Sequence, residues 1–421
     1  MSVESFWRRD ATAAAAPLPG DLDVDFAVIG AGYCGLSTAI ALRDHGASVA
    51  VIDAHAPGWG ASGRNGGQVI PGFKVGLSAL QNLFGAKRGE SLFAFGQDST
   101  IRVEALIARF GIVCHYEKKG WIRAAHNLRA ARNLQLQAEE DSANGGVLEY
   151  VEGSALKSWL GDTPYVAGMI DKRGATINPY SYAMGLARGA AGLGIRIFGN
   201  TEALALQRAS NRWSVHTSRG QITARAIGIA TDGYTSRLLP SLDNRIIRVG
   251  SYQIATRILN EQERAVVIRT GVAASDTRAL LRYFRLSPDG RLMVGGRGGF
   301  TNRIEASLFA SIAATIPEIY PTLARIEIEH RWEGMVALTR DGLPRVMPVN
   351  KDVWYAGGFN GRGVAMASAF GPLLASAMMS EADSANPLVG SPLPVYPFYR
   401  WRLPVMALAA QYMKVRDAVG L

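Results

Sequence analysis

Cysteine and long apolar runs are scarce in this sequence. Cys34 and Cys114 are the only cysteines among 421 residues, so neither a disulfide framework nor a Cys-based zinc site can be built. No apolar stretch reaches the length of a transmembrane helix. The first residues, MSVESFWRRD, lack the basic region and apolar core of a signal peptide. We therefore predict a cytoplasmic protein without stable membrane insertion.

Blocks of like charge are also missing. The chain has 45 Lys and Arg against 35 Asp and Glu, a formal net charge of +10, but no run of five or more basic residues. This scatter gives little support for a nucleic-acid partner, whereas a positive field can attract small anions. The six histidines show no metal-ligand spacing. Hydrophobic residues make up 48% of the chain, enough for a large core and two domains.

A dinucleotide-binding pattern lies near the start of the chain. VDFAVIG predicts a buried strand, GAGYCG follows, LSTAIALRDHG predicts a helix, and SVAVID predicts a second strand that ends in Asp53. In such a unit Gly30 allows the tight turn, Gly32 lets the backbone approach a pyrophosphate, and Gly35 lets the helix pack on the strand. The helix N-terminus favours the phosphate charge. Asp53 can accept the ribose hydroxyls, and it argues against NADP because it would repel a 2′-phosphate.

A Gly-rich stretch, GWGASGRNGGQV, follows the second strand. It occupies residues 58–69, and a chain that leaves the carboxyl end of that strand is already at the ligand side of the sheet. Its small residues permit close backbone approach. We expect Ser62, Arg64 and Asn65 to lie against the rest of a long cofactor, because a flexible linker would have no reason to carry Trp59.

Three motifs together resemble the D-amino-acid-oxidase-like family of FAD-dependent oxidoreductases. They are VIGAGYCGLSTAIAL, GWGASGRNGGQV and WYAGGFNGRGVAMASAFG, and the closest similarity is to the gamma-glutamylputrescine oxidoreductase-like branch. The resemblance runs from about residue 20 to the C-terminus. It implies an α/β fold in which a Rossmann-type FAD-binding domain is interleaved with an α+β, mainly antiparallel substrate-binding domain. The expected FAD-binding segments are 1–90, 172–243 and 335–421, and the substrate-binding segments are 91–171 and 244–334.

The resemblance implies a set of cofactor-binding residues beyond the first motif. A backbone contact to adenine is expected around Ala203, and the IATDG turn implicates Thr231 and Gly233. A second glycine turn opens a long helix, whose N-terminus would stabilise negative charge at the flavin N1 and C2=O. The expected cofactor residues are Gly30, Gly32, Gly35, Asp53, Ser62, Gly63, Arg64, Asn65, Gly66, Gly67, Gln68, Ala203, Thr231, Gly233, Gly334, Gly358, Gly361, Gly363 and Val364.

The chain departs from the family pattern in three places. Sarcosine-oxidase-like members attach their flavin through a Cys, where this chain has Gly334. We therefore predict non-covalent FAD. The oxygen-activating Lys of those members is matched by Met293, and the carboxylate-binding Arg of D-amino-acid oxidases is matched by Val336. Substrate handling cannot be transferred from any of these relatives.

Four residues of the strand-rich region 244–300 are candidates for the substrate site. Arg285 and Arg297 flank the hairpin turn Pro288-Asp289-Gly290, and either guanidinium could hold a substrate carboxylate. The alternative is that each Arg lies on a solvated strand face. Tyr252 and Tyr283 could line the pocket.

The resemblance implies oxidation of the C–N bond of a small-molecule amine or amino acid. Hydride passes to the flavin N5, the imine product is hydrolysed, and O2 is the expected acceptor. One alternative is a dehydrogenase that passes electrons to a quinone or respiratory chain. Others are a tRNA-modification protein with the same fold and a non-catalytic FAD-binding module.

The tail FYRWRLPVMALAAQYMKVRD mixes apolar and basic residues at helical spacing. Family members end in a packed helix, so we expect a structural role, with a membrane-surface helix as the alternative.

Overall fold

A computed structural model describes residues 4–8, 15–235, 238–299, 305–381, 386–397 and 399–419. Its α-helices are α1 Tyr33–Asp44, α2 Leu77–Phe84, α3 Ala86–Gln97, α4 Ser99–Phe110, α5 Leu128–Ala143, α6 Gly153–Leu160, α7 Pro179–Gly192, α8 Glu261–Val266, α9 Ala306–Ala313, α10 Ile316–Ile319, α11 Gly363–Met378 and α12 Arg402–Val419. Its strands are β1 Leu22–Asp23, β2 Phe26–Ile29, β3 Val49–Ile52, β4 Gln68–Val69, β5 Trp121–Ala125, β6 Glu149–Glu152, β7 Ala167–Asp171, β8 Ala175–Thr176, β9 Arg196–Phe198, β10 Ala203–Ala209, β11 Arg212–Thr217, β12 Gln221–Ala224, β13 Ala226–Ile229, β14 Ile247–Ile258, β15 Ala273–Asp276, β16 Arg282–Leu286, β17 Arg291–Arg297, β18 Ile328–Leu338, β19 Arg345–Asn350 and β20 Val353–Gly357.

The first half of the fold is a six-stranded sheet of order β19-β20-β13-β2-β3-β9. All its pairs are parallel except β19 with β20. Strands β2 and β3 read FAVI and VAVI and are buried throughout, as expected for parallel strands covered on both faces. Helices α1, α4, α7 and α11 pack on one face, and a four-stranded sheet of β1, β12, β11 and β10 packs on the other. The predicted Rossmann-type fold is confirmed.

The second half is an eight-stranded sheet of order β18-β14-β17-β16-β15-β5-β7-β6. Every pair is antiparallel except β5 with β15. The predicted hairpin joins β16 to β17, and the Gly290 amide donates to the Ser287 carbonyl at 2.9 Å. One face of this sheet packs on α9 and α10, so the other face is free to meet the parallel sheet.

The proposed division into interleaved domains is compatible with these sheets. The strands of the parallel sheet lie within 1–90, 172–243 and 335–421, and those of the eight-stranded sheet lie within 91–171 and 244–334, apart from the last four residues of β18. The boundary at residue 90 falls inside α3, because the break between helices is at Gly85. The division itself stays a proposal.

The C-terminal helix differs from the expected packed helix. Only one side of α12 is half-buried, while the apolar side chains of Val405, Leu408, Tyr412 and Val415 are exposed. Within the described ranges, no helix combines the length and hydropathy needed to cross a bilayer.

Candidate functional site

A cavity of about 450 Å³ opens where the carboxyl ends of β2, β3 and β13 face the eight-stranded sheet. Its volume lies within the range of about 300–1,000 Å³ usual for ligand pockets. The predicted residues that line it are Gly30, Gly32, Asp53, Ser62, Asn65, Gly66, Gln68, Ala203, Thr231, Tyr283, Arg297, Gly361, Gly363 and Val364. The predicted residues outside its lining are Gly35, Gly63, Arg64, Gly67, Gly233, Gly334, Gly358, Tyr252 and Arg285.

The first motif forms one end of the cavity. The Asp53 carboxylate accepts hydrogen bonds from the backbone amides of Ala31 and His55 at 2.8 and 2.9 Å. It therefore fixes the glycine turn as well as facing the cavity, and burial raises the pKa of this carboxyl. Gly35 lies outside the cavity because its role is packing: a Cβ there would be 1.9 Å from the Gly30 carbonyl oxygen.

The Gly-rich stretch, residues 58–69, is an ordered loop that we call the cofactor loop. The Asn65 amide donates to the carbonyls of Ala61 and Ser62 at 3.0 and 3.1 Å, and its oxygen accepts from the Gly67 amide at 2.8 Å. The Ser62 hydroxyl accepts from the amide of Tyr33, in the first turn of α1, at 3.0 Å. The loop is thus tied to the first glycine turn, and its residues 58–62, 65, 66 and 68 line the cavity.

Arg64 lies behind this wall. Its Nε donates to the Trp59 carbonyl at 2.8 Å, and its own carbonyl accepts from Gln253 Nε2 at 2.6 Å and Trp332 Nε1 at 2.9 Å. The last two residues belong to the eight-stranded sheet. Arg64 therefore joins the loop to the second sheet.

The N-terminal residues hold the same loop from the outside. The Ser5 hydroxyl donates to the Gly63 carbonyl at 2.8 Å, and Trp7 Nε1 donates to the Asn65 carbonyl at 2.9 Å. Phe6 stacks on Trp332 with ring centroids 5.7 Å apart. We call residues 5–7 the N-terminal clasp. Nothing in the local sequence pattern predicts it.

Trp7→Phe is expected to weaken FAD binding about twofold to tenfold without unfolding the chain. The variant keeps an aromatic ring but removes one neutral hydrogen bond, worth about 0.5–1.5 kcal/mol, from a carbonyl in the cofactor loop. Titration of the apoprotein with FAD measures the change. The matched control is Trp213→Phe, because the Trp213 indole also donates to a carbonyl, that of Lys351, at 2.9 Å but does not contact the loop. Equal effects of the two variants on affinity would contradict a role of the clasp in cofactor binding.

The IATDG turn and the glycine turn before α11 are joined by Asp232, a residue that was not among the predicted site residues. Asp232 lies between the predicted Thr231 and Gly233, lines the cavity, and accepts from the Gly358 amide at 2.7 Å. Burial raises the pKa of this carboxyl to about 6. Its φ of +42° is unusual for a residue other than glycine. The acidic residue of the IATDG motif is the sequence signal that could have identified Asp232 as a site residue. Gly233 and Gly358 lie behind Asp232 and do not line the cavity.

Helix α11, which follows the glycine turn around Gly358 and Gly361, points its N-terminus at the cavity. Gly361, Gly363 and Val364 line the wall where α11 begins. The side chain of the N-cap residue, Arg362, makes no capping hydrogen bond, so the backbone amides of this end can favour negative charge. The N-cap of α1 is Gly32, which has no side chain to cap the helix, and Ser62 engages the Tyr33 amide of its first turn. The two helix N-termini suit an elongated anionic ligand such as FAD.

The opposite wall is one face of the eight-stranded sheet. Ser275, Tyr283, Gly295 and Gln253 are paired in this order across β15, β16, β17 and β14, so they share one face. Gly295 leaves room for the neighbouring ring, because a Cβ there would be 2.2 Å from Tyr283. The Tyr283 hydroxyl reaches Ser251 Oγ at 2.7 Å, and burial raises the pKa of Tyr283 to about 12.

Arg297 is the predicted arginine that reaches the cavity. Its Nη2 donates to the Asn360 carbonyl at 3.0 Å, next to the N-terminus of α11. Among the residues that the structure describes, no carboxylate forms an ion pair with it. Partial burial and the charges of Arg297, Arg362 and Arg123 lower the pKa of Lys74 to about 8. Several basic side chains therefore lie near Arg297.

Arg285 and Tyr252 do not occupy the predicted positions at the substrate. Arg285 is 2% exposed, and its Nη1 donates to the carbonyls of Gly67 and Ile177 at 2.6 and 2.8 Å. Burial lowers the pKa of this guanidinium to about 9. It stabilises the cofactor loop from behind instead of facing a ligand. Tyr252 is adjacent to Ser251 on β14, so it points to the opposite face and packs on Phe309.

The structure also shows where the residues at the three departures from the family pattern lie. Met293 is buried in a cluster with Phe6, Trp7 and Trp332, away from the cavity. Val336 lines the cavity, whereas Gly334 pairs with Ser251 just beyond it. Cys34 lies in α1 and lines the cavity, but burial raises the pKa of its thiol to about 12. The unreactive protonated thiol is the form present at neutral pH.

Acid precipitation is expected to release the flavin into solution. The position of the family's flavin-linking Cys carries Gly334, and Cys34 is held as a thiol. The absorbance of supernatant and pellet, measured after acid treatment, checks this. Flavin retained in the pellet would contradict non-covalent binding, and peptide mapping would then identify the linked residue.

Comparison with known proteins gives a consistent result. A family model described as FAD dependent oxidoreductase matches residues 25–377. The chain is 31% identical over 403 residues to the probable oxidoreductase OrdL of Rhizobium meliloti (strain 1021), covering 95% of this chain and 94% of that protein. It is 28% identical over 402 residues to gamma-glutamylputrescine oxidoreductase of Escherichia coli (strain K12), covering 94% and 93%. The structure of glycine oxidase from Geobacillus kaustophilus superposes with a TM-score of 0.72 at 19% identity, covering 86% of this chain and 96% of that one.

Proposed function

The chain belongs to the FAD dependent oxidoreductase family, and from that premise we propose that it oxidises the C–N bond of a substrate carrying both an amine and a carboxylate. The family makes it an FAD-dependent enzyme. The nature of the substrate rests on the site itself, and Arg297 carries that part of the proposal.

Arg297 supports a carboxylate ligand because its guanidinium lines the cavity and, among the described residues, has the Asn360 carbonyl as its one hydrogen-bond partner. A planar guanidinium retains further donors for a bidentate contact with a carboxylate. The acids that line the cavity are Asp53, Glu202 and Asp232, and Asp53 and Glu202 lie at the end that we assign to adenosine. A carboxylate at the substrate end would therefore meet cations and little opposing charge.

The same positive charges would help prepare the amine. Nearby cations disfavour a protonated amine and so lower its pKa, which leaves the nitrogen lone pair available. Leu281, Val336 and Phe359 add apolar surface to the cavity wall, which limits water around the reacting carbon. Bound FAD supplies the hydride acceptor, and water hydrolyses the imine product.

The names of relatives agree with this proposal at a coarser level. They include gamma-glutamylputrescine oxidoreductase, sarcosine oxidase subunit beta and glycine oxidase. Each of these names refers to a compound that contains nitrogen bonded to carbon. For the electron acceptor we propose O2. A quinone-type acceptor is the second candidate, because Met293, the match to the family's oxygen-activating Lys, is buried away from the cavity.

Anaerobic reduction of the flavin tests the substrate proposal. The holoprotein is mixed with matched pairs, each an amino acid or γ-glutamyl amine and the same amine without its carboxylate. We expect the carboxylate-bearing member to bleach the flavin at least about tenfold faster, on the scale of one charge-assisted hydrogen bond. Equal bleaching by both members would remove the carboxylate from the proposal. Return of the colour on admitting O2, with peroxide, favours an oxidase, whereas return only with a quinone analogue favours the dehydrogenase.

A further inference from the structure

The C-terminal helix presents an ordered row of apolar side chains to solvent. Trp401, the last residue of the 3-10 turn that leads into α12, and Val405, Leu408, Tyr412 and Val415 of α12 follow one another at intervals of four, three, four and three residues. This spacing places them on one face of a helix. Each is between 56% and 72% exposed. We call this set the outer row.

The opposite side of the helix is attached to the protein. The Asp417 carboxylate accepts from the backbone amides of Ala279 and Leu280 at 2.8 and 3.1 Å. Met406 and Met413 are half-buried and lie on the same side of the helix as Asp417. The orientation of α12 is therefore fixed by its contacts, and the outer row cannot turn inward without breaking them.

The C-terminal segment that carries the outer row is mainly basic in sequence. Residues 399–419 contain four basic residues, at positions 400, 402, 414 and 416, and one acidic residue, Asp417. Both Asp417 oxygens are engaged by backbone amides. The whole chain carries a formal charge of +10. A partner for this face should therefore combine an apolar layer with negative charge.

We propose that the outer row docks on a membrane surface that contains anionic lipids. A helix with an apolar face, flanking Arg and Lys, and aromatic residues is suited to lie in the plane of the headgroup region. Trp401 and Tyr412 supply the aromatic side chains that favour this region. The helix lies on the bilayer rather than across it, since Asp417 and its protein contacts face the other way.

A second copy of the chain fits this surface less well. Two helices packed through their outer rows would bring two basic segments together on molecules that are both strongly positive, and like charges across an interface are unfavourable. The same positive charge would be attracted to an anionic lipid surface.

The docked face adjoins the substrate wall. Asp417 binds the amides of residues 279 and 280, and the next residue, Leu281, lines the cavity. Membrane docking would thus bring one side of the cavity close to the bilayer. The proposal does not depend on which compound is oxidised.

Sedimentation of the full-length holoprotein with vesicles tests the proposal. We expect binding to phosphatidylcholine vesicles that contain phosphatidylglycerol, weaker binding to phosphatidylcholine alone, and loss of binding as salt is raised. Leu408→Glu should lower the partition coefficient about tenfold or more, because it places a charge in the middle of the apolar row. The matched control is Leu128→Glu, since Leu128 is 79% exposed at the start of α5, outside the outer row.

Flavin content and turnover of both variants show whether they are folded. No binding to anionic vesicles, or equal binding of Leu408→Glu and the unchanged protein, would overturn the proposal. A dimer that Leu408→Glu disperses, in a protein that does not bind vesicles, would overturn it in favour of a second copy. As a second variant, Val405→Ser with Tyr412→Ser should weaken binding in the same direction without adding charge.

Discussion

Gly32→Val is expected to yield a folded protein that contains no FAD. Gly32 is the N-cap of α1 and lines the cavity. A Cβ at this position would be 2.7 Å from Ser62 Oγ, the atom that accepts from the Tyr33 amide. Overpacking of this kind costs about 1–3 kcal/mol. The larger effect is that a side chain would occupy the space through which the backbone approaches a pyrophosphate.

Gly76→Val is the matched control for this variant. Gly76 is the N-cap of α2, also has an extended backbone and no side-chain cap, and has no atom within 4 Å of a built Cβ. The absorbance ratio of flavin to protein after purification gives the result, and circular dichroism shows whether each variant is folded. Full flavin content in Gly32→Val would mean that the first glycine motif does not hold the pyrophosphate.

Arg297→Ala is expected to lower kcat/KM for the amino-acid substrate by about one to two orders of magnitude while leaving FAD content unchanged. A hydrogen bond to a charged group contributes about 1.5–3 kcal/mol, and about 1.4 kcal/mol corresponds to tenfold. The same substitution should change the turnover of the decarboxylated amine little, because that compound has no group for Arg297 to bind. Arg297→Lys should restore part of the loss, since Lys keeps the charge but not the bidentate geometry.

Two other arginines provide the controls for Arg297. Arg282 is paired with Gly296 on the opposite face of the same sheet and forms an ion pair with Glu318 at 2.7 Å. Arg282→Gln removes the same charge without touching the cavity, so kcat/KM should stay within about twofold, as for most surface substitutions. Arg285→Met should lower the thermal midpoint, because two carbonyls lose their donor, but should preserve the preference for the carboxylate. Loss of that preference in Arg285→Met and its retention in Arg297→Ala would reverse the assignment.

The parts of the fold that the sequence predicted correctly depend on local order along the chain. The strand, glycine turn, helix and second strand around Gly32 and Asp53 follow within thirty residues, so their spacing determines their arrangement. The resemblance built on the three glycine motifs is confirmed by the family match over residues 25–377. The residue assignments to FAD remain predictions, and the two variants of Gly32 and Gly76 address them.

Tyr252 and Arg285 were predicted at the substrate site but do not line the cavity, and their placement depends on strand register and long-range contacts. Tyr252 and Ser251 are neighbours in sequence but lie on opposite faces of β14, so the choice between them requires the pairing of Gly295 with Gln253. Arg285 shares a strand face with Tyr283, yet the loop around Gly67 covers it. No local sequence pattern predicts that this loop covers Arg285. The N-terminal clasp was missed for the same reason, because its hydrogen bonds join residues 58 positions apart in sequence.

The clasp also has a consequence for the order in which the enzyme can be assembled during synthesis. The cofactor loop is held by Ser5 and Trp7 on one side and by Trp332 on the other. The ribosome makes the clasp and the loop first, but Trp332 emerges only after three quarters of the 421 residues have been translated. Contacts of such separation close late. Nascent chains that stop before β18 should therefore fail to retain FAD, and cofactor loading becomes a step that follows nearly complete translation.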